Sequence, residues 1–156
     1  SRDSLTWELA LYLFSHGYEG RFGKAAISDR GLAYYIAADY RGGPDTGLIT
    51  LAAGVDPVSQ APLAALLQSE LARFVAEPPA AEELAEAKAY LVGRRTSAAL
   101  SPAERVERLA SDRVGHGLMT SDAYADAVAA VTLDQLNAVL TAFADGRVVT
   151  VAVGTP

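Results

Sequence analysis

The twenty residues from Arg21 to Tyr40, RFGKAAISDRGLAYYIAADY, constrain the fold most, because a single glycine separates a helical segment from a strand. Gly31 tolerates the positive φ that commonly ends a helix. The aromatic and apolar residues that follow, from Tyr34 to Ala38, are typical of a strand. We therefore predict a short helix from about residue 21 to residue 30 and a strand over Ala33–Tyr40.

The rest of the chain is predicted to be mostly helical, with one strand close behind the first and another near the end. Leu48–Gly54 is the second predicted strand, and the glycines and proline of residues 41–45 favour an antiparallel hairpin. The apolar run Val148–Val153 predicts a last strand that is buried on both faces. Capping residues and apolar spacing predict further helices that begin at Ser4, Asp56-Pro57, Ala81, Ser101 (to about His116), Ser121 and Thr132.

Grouped helices and strands of this kind indicate an α+β fold, with a mainly antiparallel sheet and helices packed on one face. The 156 residues fit one domain, and 51% of them are hydrophobic, which supplies a core. The net charge of −6 argues against a nucleic-acid partner. The sequence contains no cysteine and no apolar run long enough for a membrane span.

Several catalytic or ligand-binding chemistries are disfavoured by their context. His16 and Glu19 have an H-x-x-E spacing, but Gly17 and Gly20 break the helix that would aim both side chains at one metal ion. The serines lack a histidine and aspartate in a plausible catalytic arrangement. The glycine pair at 42–43 precedes a proline and a strand rather than the helix that a phosphate loop requires. The glutamates at 82, 83 and 86 fit a solvated first helical turn.

Five segments, in order and at matching spacing, resemble the second-type domains of the pitrilysin/insulinase-like zinc metallopeptidases, which have bacterial relatives. The match is specific because of this order, since each segment alone is weak. The segments are Arg21-Phe22, Arg30-Gly31-Leu32-Ala33-Tyr34, Gly54-Val55-Asp56-Pro57, Glu82-Glu83-Leu84-Ala85-Glu86-Ala87-Lys88 and Ala130-Val131-Thr132-Leu133-Asp134-Gln135-Leu136.

The chain departs from the catalytic members of that family in its histidines. The inverted zinc motif H-x-x-E-H is absent, and the only histidines are His16 and His116. The resemblance therefore implies an insulinase-type half-domain over residues 1–156 with no zinc and no catalytic residue of its own. It also implies that the first edge strand of the family's domain lies outside these residues.

The resemblance suggests two residues that bind substrate. The family's second-type domain contributes a tyrosine, and an arginine seven residues before it, to contact a substrate carbonyl; these positions correspond to Tyr34 and Ile27. The arginine is thus replaced, and Arg30 is the nearby cation that could contact a carboxylate. For Tyr34, packing as an ordinary strand aromatic is the alternative, and for Arg30 it is a solvated helix-end cation.

The resemblance implies a non-catalytic, substrate-cradling or partner domain of a zinc metallopeptidase system, whose homologous partner domain or subunit bears the zinc. An extended peptide could pair with the strand Leu48–Ala53. One alternative is a purely structural pseudo-peptidase subunit of a hetero-oligomer, without substrate contact. An unrelated small-molecule binding module is another. Both the periplasm and the cytoplasm remain open as locations.

Overall fold

The computed structural model describes residues 2–42, 47–98, 120–144 and 148–154, together with 102, 103 and 106. The helices of these residues are α1 (Arg2–Ser15), α2 (Arg21–Gly23), α3 (Gln60–Ala76), α4 (Ala81–Ala98), α5 (Ser121–Ala129) and α6 (Leu133–Ala144). A π-helix, Lys24–Asp29, continues α2, and a 3₁₀ turn, Pro57–Ser59, precedes α3. The strands are β1 (Tyr35–Gly42) and β2 (Gly47–Gly54).

The two strands form an antiparallel hairpin, as predicted. Tyr35 lies opposite Gly54 at one end, and Gly42 lies opposite Gly47 at the other. The predicted turn residues between the strands lie partly outside the described residues. Ile36 is buried on the inner face of β1, whereas its neighbours Tyr35 and Ala37 on the outer face are exposed. The helices pack on the inner face, which confirms the α+β class with an antiparallel sheet.

Helix α1 is the centre of the core. Leu9 and Phe14 are fully buried, Leu5 is buried beside Leu9, and Ala10 and Leu11 are buried on other sides of the same helix. A helix that is apolar nearly all round is enclosed by its neighbours rather than laid on a surface. Here β1, α2, α4, α5 and α6 contact α1. The helix begins at least two residues before Ser4, the N-cap that the sequence predicts.

An aromatic cluster around Phe14 joins α1 to three other helices. The ring of Phe14 lies 5.4 Å from that of Phe22, 5.2 Å from that of Phe74 and 6.4 Å from that of Phe143, measured between ring centroids. Aromatic pairs at these separations add to the free energy gained by burying apolar area. This cluster connects α1, α2, α3 and α6, so elements far apart in sequence share one core.

The prediction of a buried strand at Val148–Val153 is wrong for this structure. Residues 148–153 form no strand, and their valines are exposed. The segment is apolar, but burial on two faces requires neighbouring elements, and none of the described residues supplies them. The predicted helix from Ser101 to His116 lies largely outside the described residues.

Candidate functional site

The junction between the π-helix and β1 has the backbone that the sequence predicts at its glycine. Gly31 has φ +59°, in the left-handed region. Its N–H donates to the carbonyl of Ile27 (3.2 Å), and the N–H of Leu32 donates to that of Ala26 (2.7 Å). These bonds close the end of the helix. The helix itself differs from the prediction, since only Arg21–Gly23 is α-helical and Lys24–Asp29 has the wider π turn that often occurs at functional sites.

Tyr34 lies just before β1 and is 67% exposed. Its backbone N–H donates to the carbonyl of Gly54 (2.8 Å), which fixes the residue beside the end of β2. Hydrogen bonding with the nearby carboxylate of Asp56 raises the pKa of Tyr34 above its ordinary value. The side chain is therefore accessible, with a carboxylate near its single donor.

Asp56 is a site residue that the sequence did not indicate as such. The residue occupies the N-cap position of the 3₁₀ turn, as predicted, yet its side chain makes no capping hydrogen bond. The carboxylate instead lies near the phenol of Tyr34, which is 22 positions earlier in the chain, and raises its pKa. Only the hairpin brings the two together, because Tyr34 precedes β1 and Asp56 follows β2 at its open end. The Asp-Pro motif gave no signal for this contact.

Ile27, seven residues before Tyr34, has an apolar side chain and lies in apolar surroundings. Ile27 is partly buried and packs against the core. Arg30 caps the π-helix with its backbone N–H and has an exposed side chain. Among the described residues, no salt bridge involves Arg30. A cation is thus available near the junction, but not at the position where the resemblance expects one.

His16, the histidine of the H-x-x-E spacing, belongs to an aromatic stack. The imidazole of His16 lies 4.6 Å from the ring of Tyr12 and 4.6 Å from that of Tyr90. Glu19 accepts from the Tyr12 hydroxyl (3.5 Å). The described residues contain no group of three histidine, aspartate or glutamate side chains that could hold a metal ion. They also contain no helix long and apolar enough to cross a membrane.

Glu82 and Glu86 at the start of α4 are exposed, as predicted, whereas Glu83 is partly buried. Glu83 forms an ion pair with Arg21 (3.2 Å) and accepts from the N–H of Ala80 (2.8 Å). The Arg21 guanidinium also lies 5.1 Å from the centre of the Phe74 ring. Two of the segments that carry the resemblance therefore contact each other directly, and they do so to join α2, α3 and α4.

Comparison with known proteins identifies the family. Residues 1–91, more than half of the chain, match the peptidase M16 inactive domain, and the chain belongs to this family. That family is the inactive domain type of zinc protease-like proteins, which confirms the resemblance derived from the sequence. Among the curated proteins, none matches this chain.

Solved structures share the fold. A peptidase M16 inactive domain from Pseudomonas fluorescens superimposes with a TM-score of 0.73 and 19% identity, over 91% of this chain and 34% of that one. The inactive peptidase domain of a proposed zinc protease from Bordetella parapertussis gives 0.71 and 20%, over 91% and 78%. A conserved protein from Enterococcus faecalis gives 0.70 and 17%, over 90% and 33%. The chain thus spans about a third of two of these structures.

Proposed function

We propose that this domain is the substrate-cradling partner of a zinc-bearing peptidase domain, in the same polypeptide or in another subunit. In this proposal the partner supplies the metal ion, the activated water and the general base. This chain supplies a wall of the substrate chamber and a tyrosine hydroxyl. Membership in an inactive peptidase family makes a non-catalytic role the starting point. The observation that carries the substrate role is the exposure of Tyr34 at the ordered end of the hairpin.

The chemistry available at Tyr34 sets the limits of that role. A phenol has one O–H donor, and a donor aimed at a developing oxyanion stabilises the transition state. Because the Asp56 carboxylate lies near the Tyr34 phenol, a substrate carbonyl competes with this carboxylate for the phenol's hydrogen bond. Arg30 could then contribute positive charge near the junction, in place of the arginine that Ile27 replaces.

The first prediction is that Tyr34→Phe lowers kcat/KM of the assembled peptidase by about 100-fold, because one oxyanion donor is removed while the ring remains. The matched control is Tyr35→Phe, which removes a hydroxyl from the adjacent exposed tyrosine on the outer face of β1. Peptide hydrolysis is measured with the zinc-bearing partner present. Equal, wild-type rates for both variants would contradict the substrate role.

A purely structural role is the second candidate, and two observations favour it. The Asp56 carboxylate near Tyr34 competes for its phenol, and Ile27 packs against the core where the resemblance expects a cation. In that case the domain closes the chamber without touching the peptide. Tyr34→Phe and Arg30→Ala would then leave turnover unchanged, whereas loss of the whole domain would abolish assembly.

A further inference from the structure

The surroundings of Tyr34 contain a negative charge that no cation of the described residues neutralises. Asp56 is exposed, and none of the salt bridges among the described residues involves its carboxylate. The side chain also makes no capping hydrogen bond to the 3₁₀ turn that follows it. The charge of this carboxylate is therefore accessible to a ligand that binds at Tyr34.

The backbone of the hairpin keeps this carboxylate close to Tyr34. The N–H of Tyr34 donates to the carbonyl of Gly54 (2.8 Å), and Tyr35 lies opposite Gly54 in the sheet. Asp56 is only two residues after Gly54, a length of chain that spans at most about 7 Å. The raised pKa of the Tyr34 phenol agrees with this closeness. A group that binds at the phenol thus comes within a few ångströms of a carboxylate.

The positive charge that would balance Asp56 is missing from the positions around it. Ile27 is apolar where the resemblance expects an arginine, and it packs against the core. Arg30 is exposed and forms no salt bridge with Asp56. A substrate oxygen that gains negative charge at the phenol is repelled by the carboxylate, because like charges at such distances repel each other. A positive charge carried by the substrate removes this repulsion.

We propose that Asp56 is a specificity-determining residue, which favours peptides with an arginine or lysine side chain next to the carbonyl bound at Tyr34. The inference rests on the substrate role proposed for Tyr34. The cationic side chain pairs with the carboxylate, so the phenol donates to the substrate carbonyl without competition. A neutral side chain leaves the carboxylate to compete for the phenol.

The expected preference is modest because Asp56 is exposed. Ion pairs between exposed side chains are weak, and their usual strength corresponds to a change of about 2- to 5-fold in kcat/KM. Salt screens such a pair, since the Debye length falls to about 3 Å at about 1 M ionic strength. The preference is therefore expected to disappear at that salt concentration.

Two peptides that differ in a single charge test the proposal. One carries arginine beside the cleaved bond, and the other carries citrulline, which has nearly the same shape but no charge. The wild-type domain, assembled with its zinc-bearing partner, is expected to give a kcat/KM about 2- to 5-fold higher for the arginine peptide. Asp56→Asn is expected to bring this ratio to about 1. The matched control is Asp126→Asn, an exposed aspartate of α5, which is expected to keep the wild-type ratio.

Charge reversal gives a second test. Asp56→Lys is expected to abolish the arginine preference and to favour a glutamate peptide over the corresponding glutamine peptide, because the new ammonium pairs with the glutamate. A ratio of about 1 in the wild type, or an unchanged ratio in Asp56→Asn, would overturn the proposal.

Tyr34→Phe distinguishes a failure of this inference from a failure of the proposed function. If the wild type shows no preference but Tyr34→Phe slows the hydrolysis of both peptides, only the role of Asp56 is wrong. If the preference depends on Asp56 but Tyr34→Phe changes neither rate, the hydroxyl of Tyr34 has no substrate role, and recognition of the cation by Asp56 is retained.

Discussion

At the scale of single residues, Gly23 allows two backbone segments to approach each other closely. A Cβ on Gly23 would lie 1.9 Å from the carbonyl oxygen of Gly17, far inside contact distance. Gly17 itself has φ +43°. The turn after α1 therefore packs directly on α2, backbone against backbone, and only a residue without a side chain fits. Gly93 differs, because a Cβ there would meet nothing within 4 Å.

The prediction at this scale compares Gly23→Ala with Gly93→Ala. We expect Gly23→Ala to lower the free energy of unfolding by about 1–3 kcal/mol, since either the turn or α2 must shift. Gly93→Ala, at an exposed position inside α4, is expected to raise it by about 1 kcal/mol through helix propensity. Urea denaturation measures both. Equal effects of the same sign would contradict the assigned contact.

Hydrogen bonds at helix ends determine where the late elements begin. At the start of α6, the N–H of Thr132 donates to Gln135 Oε1 (2.9 Å), and the N–H of Gln135 donates to Thr132 Oγ1 (3.2 Å). This is a reciprocal capping box. The ammonium of Lys88 on α4 donates to the carbonyls of Ala129 (2.9 Å) and Val131 (2.5 Å), just ahead of this box. The segment that connects α5 to α6 is thereby fixed to α4.

The prediction for these elements is that Thr132→Ala costs about 1 kcal/mol of unfolding free energy, because the N–H of Gln135 loses its acceptor. Thr141→Ala is the control on the same helix: its hydroxyl donates to the carbonyl of Asn137 inside the helix and caps nothing. We expect a change within about 0.5 kcal/mol for it. A Thr141→Ala variant as unstable as Thr132→Ala would show that the cap is not the cause.

The whole molecule is held together partly by Tyr124, which connects three helices. Its hydroxyl donates to Glu8 Oε2 on α1 (3.3 Å), and the Arg95 guanidinium of α4 lies 4.1 Å from the centre of its ring. Burial, followed by the negative charge of Glu8, raises the pKa of Tyr124 well above its ordinary value. The folded protein thus keeps this phenol neutral at pH values where an unfolded chain ionises it.

The sign of the pH dependence follows from that shift. Above about pH 10 the unfolded state binds fewer protons than the folded state, so the free energy of unfolding falls as the pH rises. We expect a loss of up to about 1.4 kcal/mol per pH unit from Tyr124. Tyr124→Phe, which keeps the ring, is expected to flatten the fall between pH 10 and 11.5, measured by urea denaturation at each pH. Tyr18→Phe, which removes an exposed hydroxyl, is the control; an equal flattening in it would contradict the assignment.

The sequence by itself determined most of the local structure. Aromatic and apolar runs, the turn residues at 41–45 and the glycine at 31 predicted the hairpin and the junction before it, and three- and four-residue spacing of apolar residues predicted α3. Five ordered motifs predicted the family. These features are local, since they depend on residues within a few positions of one another. Even so, the π turn over Lys24–Asp29 was missed, because six residues are too few for apolar spacing to distinguish a π-helix from an α-helix.

Contacts between distant segments were decided only by the tertiary structure. The proximity of Tyr34 and Asp56 requires the hairpin, and the Arg21–Glu83 ion pair requires α2 to pack on the start of α4. No sequence period encodes such contacts. The exposed valines at 148–153 show the same limit: their pattern predicts a buried strand, but the structure forms no strand there, because burial requires neighbouring elements that the described residues do not supply.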